Sequence, residues 1–267
     1  MERRILFFTC AAHAFTHVYM VIYSVVLGDM SRDFGGDITD YATISVVLFG
    51  LGSLPSSWLG ERFGEKRLLV AFFVLSAVGG IFVGLAHGWG QLAVGMACLG
   101  LGTSIFHPVG NTFMAKGIHA PGRAMGVNGL WGNFGEAVGP FLAAGVATLF
   151  SWRWAYAGLA LPMLALGLWL ALTRIDLPRT HVAQASQPPK RGLPAVVVLL
   201  LLAMMCGGFQ FWIVKTMLPT YVEQNTPESL LPERLRGGVL TALIYLIGGM
   251  GQVVAGRLGH HRERRGL

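Results

Sequence analysis

The stretch GVNGLWGNFGEAVGPFLAA, residues 126–144, places one carboxylate, Glu136, among glycines and apolar side chains. From Ala124 to Phe150 the chain has no other acidic or basic residue. Gly132, Gly135, Gly139 and Ala143 recur at helical spacing. They give one smooth face on which a second helix can lie close. Pro140 removes a backbone hydrogen bond and favours a kink. A run of this length, nearly uncharged and small-faced, reads as a helix buried in something other than water.

The rest of the chain supplies that surrounding. It has 267 residues, of which 54% are hydrophobic and 12% charged, with a mean hydropathy of +0.59. Soluble domains carry about 25% charged residues. So few charges cannot coat a globule, and the apolar excess points to an integral membrane protein. Runs long enough to cross a hydrocarbon layer, which takes about 20 residues, recur throughout. Eight spans are expected: Ile5–Leu27, Tyr41–Leu59, Leu68–Ala86, Gln91–Ala115, Ala124–Phe150, Trp154–Leu172, Pro194–Val222 and Gly237–Leu258. The polar stretch TRIDLPRTHVAQASQPPKRG, residues 173–192, separates the sixth from the seventh and reads as a linker. The expected organisation is a six-span bundle over 1–172, a cytoplasmic linker over 173–193 and a second, incomplete bundle over 194–267.

Net charge is +7, but the basic residues sit at the ends of apolar runs and form no stripe, which argues against nucleic acid. With the N-terminus in the cytoplasm, Arg3, Arg4, Arg62, Lys66, Arg67, Lys116, Arg123, Arg174, Arg179, Lys190, Arg191, Arg257, Arg262, Arg264 and Arg265 fall inside. Arg32, Arg153, Arg234 and Arg236 fall outside, with most of the loop acids. This obeys the positive-inside rule, and a multi-pass protein of a bacterial inner membrane is the expectation. Cys10, Cys98 and Cys206 each lie within an apolar run, with no disulfide or zinc spacing. Arg3-Arg4 and the run after them read as a first span, not a cleaved leader.

LGSLPSSWLGERFGEKR at 51–67 is echoed by MGQVVAGRLGHHRERR at 250–265, with Gly52, Leu59 and Gly60 aligned 199 residues from Gly251, Leu258 and Gly259. A parallel repeat of six-span units explains the echo. The second unit would then stop after two spans, and weak or no transport by these residues alone is expected.

With these features in place, the chain resembles the major facilitator superfamily of secondary transporters. Residues 57–67, SWLGERFGEKR, are similar to the signature of the loop between spans 2 and 3. Leu59, Arg62, Gly64, Lys66 and Arg67 match. Glu61 replaces an aspartate, and Glu65 stands where the family has an arginine. By resemblance this loop latches the outward-open state. Gly126, Gly135 and Gly139-Pro140 keep the spacing of the span 5 antiporter signature, with Ala143-Ala144 in place of its closing glycines. GLGTSIFHPVGN, residues 100–111, with GNFGEAVGP, resembles the fosmidomycin-resistance branch of drug exporters. SWRWAYAGLALP, residues 151–162, fits the superfamily generally. HAFTHVYM, residues 13–20, departs from that branch, and Met96 stands where proton antiporters commonly carry an arginine. The resemblance implies proton-coupled export of a small molecule by alternating access, with no cofactor and no enzymatic role.

Glu136 is the first candidate for proton coupling, because a carboxyl at membrane depth needs a watery cavity, a partner or a proton. His13 and His17 share one face of span 1, and His107 lies at a similar depth in span 4. These imidazoles suit proton transfer, substrate contact or helix-to-helix bonding. No cysteine or carboxylate stands at ligand spacing to them, so no metal site is expected. Asn133, Gln210 and Lys215 are further cavity candidates. Two alternatives stay open: a metal or organic-acid carrier using the histidine face, and a non-transporting receptor or complex subunit.

Overall fold

A computed structural model describes residues 1–36, 38–175, 177, 233–263 and scattered positions between 195 and 227. Most of the expected span Pro194–Val222, Lys215 among it, and most of the linker fall outside the described residues. Among the described residues the chain is helical, with no strand: α1 Glu2–Phe34, α2 Thr39–Phe63, α3 Glu65–Gly84, α4 Trp89–Ser104, α5 Phe106–Gly117, α6 Pro121–Leu149, α7 Trp152–Leu172 and α8 Glu233–Glu263. The chain divides into two compact units, Met1–Asp176 with Ile244–Leu267, and Leu177–Leu243.

The helices outrun the apolar stretches that announce them. α1 continues to Phe34, where Gly35 closes it at φ 69° with its N–H on the carbonyl of Arg32. The single span expected over Gln91–Ala115 lies within one apolar stretch, Trp89–Gly117, in which Ile105, itself at helical angles (φ −69°, ψ −35°), separates α4 from α5. Pro108 has no N–H for the carbonyl of Ser104. The hydroxyl of Ser53 on α2 donates to that carbonyl at 3.4 Å.

Within the first unit α1 packs mainly on α6, α3 packs on α4 and α7, and α2 packs on α4. The core between them holds Ile5, Phe8, Phe72, Phe73, Phe106, Phe113 and Tyr156, all fully buried. Among the described residues five helical stretches are long and apolar enough to cross a membrane, in α1, α2, α3, α4 with α5 (Trp89–Gly117) and α7; α6 is not one of them. Only 11% of the apolar window of α2 is buried. Leu51, Leu54 and Trp58 stand exposed on it. An apolar helix so little covered needs lipid or protein against it.

Where α1 ends, Asp33 accepts hydrogen bonds from the Trp152 indole at 2.8 Å and from Arg153 at 3.4 Å. Arg153 also donates to the carbonyl of Ala86 and, at 3.4 Å, to that of Gly84. One guanidinium thus ties α1, the end of α3 and the start of α7. Arg153→Ala is expected to lower stability by about 1–2 kcal/mol, read as an earlier thermal unfolding in detergent.

Candidate functional site

The small face of α6 receives α1. A Cβ added at Gly132 would lie 2.5 Å from Cε1 of His13, and one at Gly139 would lie 2.5 Å from a methyl of Val21. Close approach here is a consequence of missing side chains. It brings the His13 and His17 face of α1 against the polar positions of α6.

Four candidate residues converge. Nδ1 of His17 lies 2.8 Å from Oε1 of Glu136, whose side chain is only 2% exposed. Nε2 of His17 lies 3.0 Å from Nε2 of His13. Nδ1 of His13 lies 2.8 Å from the carbonyl oxygen of Asn128 on α6. His107, in the first turn of α5, sets its ring edge-on to His13 at 5.2 Å and to His17 at 5.9 Å between centroids. Phe106 stacks on the far side of His13 at 4.8 Å. Both side chains stand in the first turn of α5, which packs on α1.

Hydrogen-bond bookkeeping limits where the protons in this row can lie. A carbonyl only accepts, so Nδ1 of His13 carries a hydrogen and donates to Asn128. Neutral His13 then accepts at Nε2, and Nε2–H of His17 donates to it. Nδ1 of His17 and Oε1 of Glu136 stand within ion-pair distance, so a proton passing between ring and carboxyl would need little movement of heavy atoms.

The other expected residues lie elsewhere. Asn133 donates through Nδ2 to the carbonyl of Tyr245 on α8 at 2.9 Å, and Gly249 packs against it. It joins α6 to α8 within the first unit. Gly126 and Gly135 are buried on α6 with Gly132 and Gly139, and Pro140 lies inside an α6 that stays helical throughout. Gln210 is exposed and helical. In the loop between α2 and α3, Gly64 takes φ 96° at the turn. Glu61, Arg62 and Arg67 are exposed, and Arg62 lies over the Trp58 ring at 5.4 Å. Lys66 donates to the carbonyl of Ala171 at 3.0 Å.

The strong charge contact of that region involves a residue that departs from the family pattern. Glu65, buried at the start of α3, pairs with Lys116 in the last turn of α5 at 2.6 Å. The sequence offered no signal for it, because both residues read as loop charges at the ends of spans.

Comparison with known proteins finds similarity to transporters. The glycine betaine/proline/ectoine/pipecolic acid transporter of Dickeya dadantii is 27% identical over 59% of this chain and 36% of its own length. The multidrug resistance protein B homolog of Mycobacterium tuberculosis is 27% identical over 68% of this chain and 34% of its own. The nitrite extrusion protein of Bacillus subtilis is 31% identical over 44% and 30%. The chain spans about a third of the length of these curated relatives. The profile described as Major Facilitator Superfamily matches residues 7–267, and the chain belongs to that family of integral, multi-pass membrane transporters.

Proposed function

We infer that the chain belongs to a proton-coupled exporter of a small molecule, working by alternating access. The observation that carries this reading is the buried row Glu136–His17–His13, held at hydrogen-bond distances inside an apolar bundle. Ionisable side chains at membrane depth serve ion and substrate pathways far more often than they brace helices. Glu136 is the proton carrier in this reading, and the histidines pass the proton on. His107, half-buried at the side of the row, borders the substrate space. Gly139 and Pro140 form the hinge of α6.

The multidrug and nitrite extrusion relatives support export, and the stretches at 100–111 and 132–140 support a place near the fosmidomycin-resistance branch. The bias of basic residues supports a cytoplasmic N-terminus in a bacterial inner membrane. Partners are then protons, a small-molecule substrate and the bilayer, with no nucleic acid.

The test is transport by the full-length protein containing this chain, reconstituted in vesicles with an imposed proton gradient. Ethidium and glycine betaine serve as probes. The wild type is expected to concentrate one of them against its own gradient. Glu136→Gln is expected to abolish uphill accumulation while leaving downhill exchange. Uphill accumulation by Glu136→Gln at the wild-type rate would reject the coupling role.

A further inference from the structure

We propose that His13, His17 and His107 form a binding centre for one divalent transition-metal ion of the zinc class. Each offers a ring nitrogen, and the three lie within 4.8 Å of one another. A zinc–imidazole bond is about 2.0–2.1 Å, which puts tetrahedral ligand nitrogens about 3.4 Å apart. Nε2 of His13 and Nε2 of His17 stand at 3.0 Å, so a few tenths of an ångström separate them from that spacing. His107, in the first turn of α5, reaches the same point by a rotation of its ring.

The surroundings of the imidazoles carry the assignment further than the cluster alone. Metal-bound histidines donate their second ring N–H to a carboxylate or a backbone carbonyl, which fixes the tautomer and the ring plane. His13 has that partner in place, and His17 stands within ion-pair distance of one. Nδ1 of His17 faces the Glu136 carboxyl at 2.8 Å, and Nδ1 of His13 faces the Asn128 carbonyl at 2.8 Å. In both rings the partnered atom is Nδ1, and Nε2 is left turned toward the centre. The proton that lies between the two Nε2 atoms is the one an incoming cation displaces. Gly132 lets the His13 ring lie flat on α6, and Phe106 stacks on it at 4.8 Å, so the ring is held before any ion arrives. Three imidazoles with an open fourth position suit zinc, copper, nickel and cobalt and do not suit magnesium or calcium.

Glu136 thus acts on the metal through His17, whose ring it faces. The transport reading gives Glu136 a different task, and the two are separable. Metal binding needs neither a gradient nor a transported substrate, so a failed transport assay leaves this centre untouched.

The experiment is a Co²⁺ titration of the purified 267-residue chain in detergent, followed by visible d–d absorption and by thermal unfolding. His260→Ala and His261→Ala form the background, which removes competing imidazoles near the C-terminus. The expected result is one Co²⁺ per chain with a tetrahedral spectrum and a raised unfolding temperature, displaced by Zn²⁺ and not by Mg²⁺. His13→Ala and His107→Asn are expected to lose the spectrum. Glu136→Gln is expected to keep the spectrum with an affinity 10–100-fold weaker. Metal-free melting of each variant near the wild-type temperature separates loss of ligand from loss of fold. Absence of the spectrum at millimolar Co²⁺, or a spectrum unchanged in His107→Asn, would overturn the assignment.

Discussion

Lys116→Met is expected to destabilise the chain by about 3–5 kcal/mol, the cost of leaving a buried ion without its partner. The ion left behind is Glu65, whose side chain is 8% exposed and pairs with Lys116 at 2.6 Å. The opposite change, Glu65→Gln, is expected to cost less. Lys116 is 24% exposed, and its long stem lets the ammonium swing into water. Both charges also sit at favourable helix ends, the acid in the first turn of α3 and the base in the last turn of α5. The double variant Glu65→Leu/Lys116→Met is expected to return to within about 1 kcal/mol of the wild type, since a packed apolar pair often replaces a buried ion pair without loss. Thermal unfolding of the four proteins in one detergent gives the cycle. Equal, mild effects of the two single changes would show the pair to be solvated and of no consequence.

This pair also marks the limit of what the sequence discloses. The helices were legible because apolar runs of membrane length have one solution for their backbone hydrogen bonds. The face of α6 was legible too, because Gly132, Gly135 and Gly139 return at helical spacing and say that a neighbour comes close. Nothing in that spacing names the neighbour. That it is α1, in the register that sets His17 beside Glu136, follows from packing shapes along both helices and not from any local pattern. His13 and His17 were legible as one face, and His107 as lying at the same depth. Their convergence depends on how α5 packs on α1, which no spacing within either helix discloses. Asn133 and Glu136 lie less than one turn apart, yet Asn133 reaches the Tyr245 carbonyl and Glu136 reaches His17. Glu65 looked like a lapse in a basic signature until its partner, 51 residues on, came into view. Charges at helix ends read alike whether they face water or each other.

The second large effect concerns the close approach itself. Gly135→Val is expected to destabilise the chain by more than about 3 kcal/mol, at or beyond the upper end for overpacked cores. A Cβ at position 135 would stand 2.3 Å from the carbonyl oxygen of Ala14 and 2.9 Å from its Cα. Those are backbone atoms, and no side-chain rotation relieves the clash. α1 and α6 must separate, and with them go the 2.8 Å contacts of His13 with Asn128 and of His17 with Glu136. Even Gly135→Ala meets the same two atoms, so it too is expected to unfold early. Gly145→Ala on the same helix is the counterpart. A Cβ there meets nothing within 4 Å, and exchanging glycine for alanine in a helix interior stabilises by up to about 1 kcal/mol. Opposite signs for the same substitution, read by thermal unfolding, isolate the helix contact from helix propensity. If Gly135→Ala melted with or above the wild type, α1 could not lie on the small face of α6, and the alignment of His17 with Glu136 on which both the proton row and the metal centre depend would be lost with it.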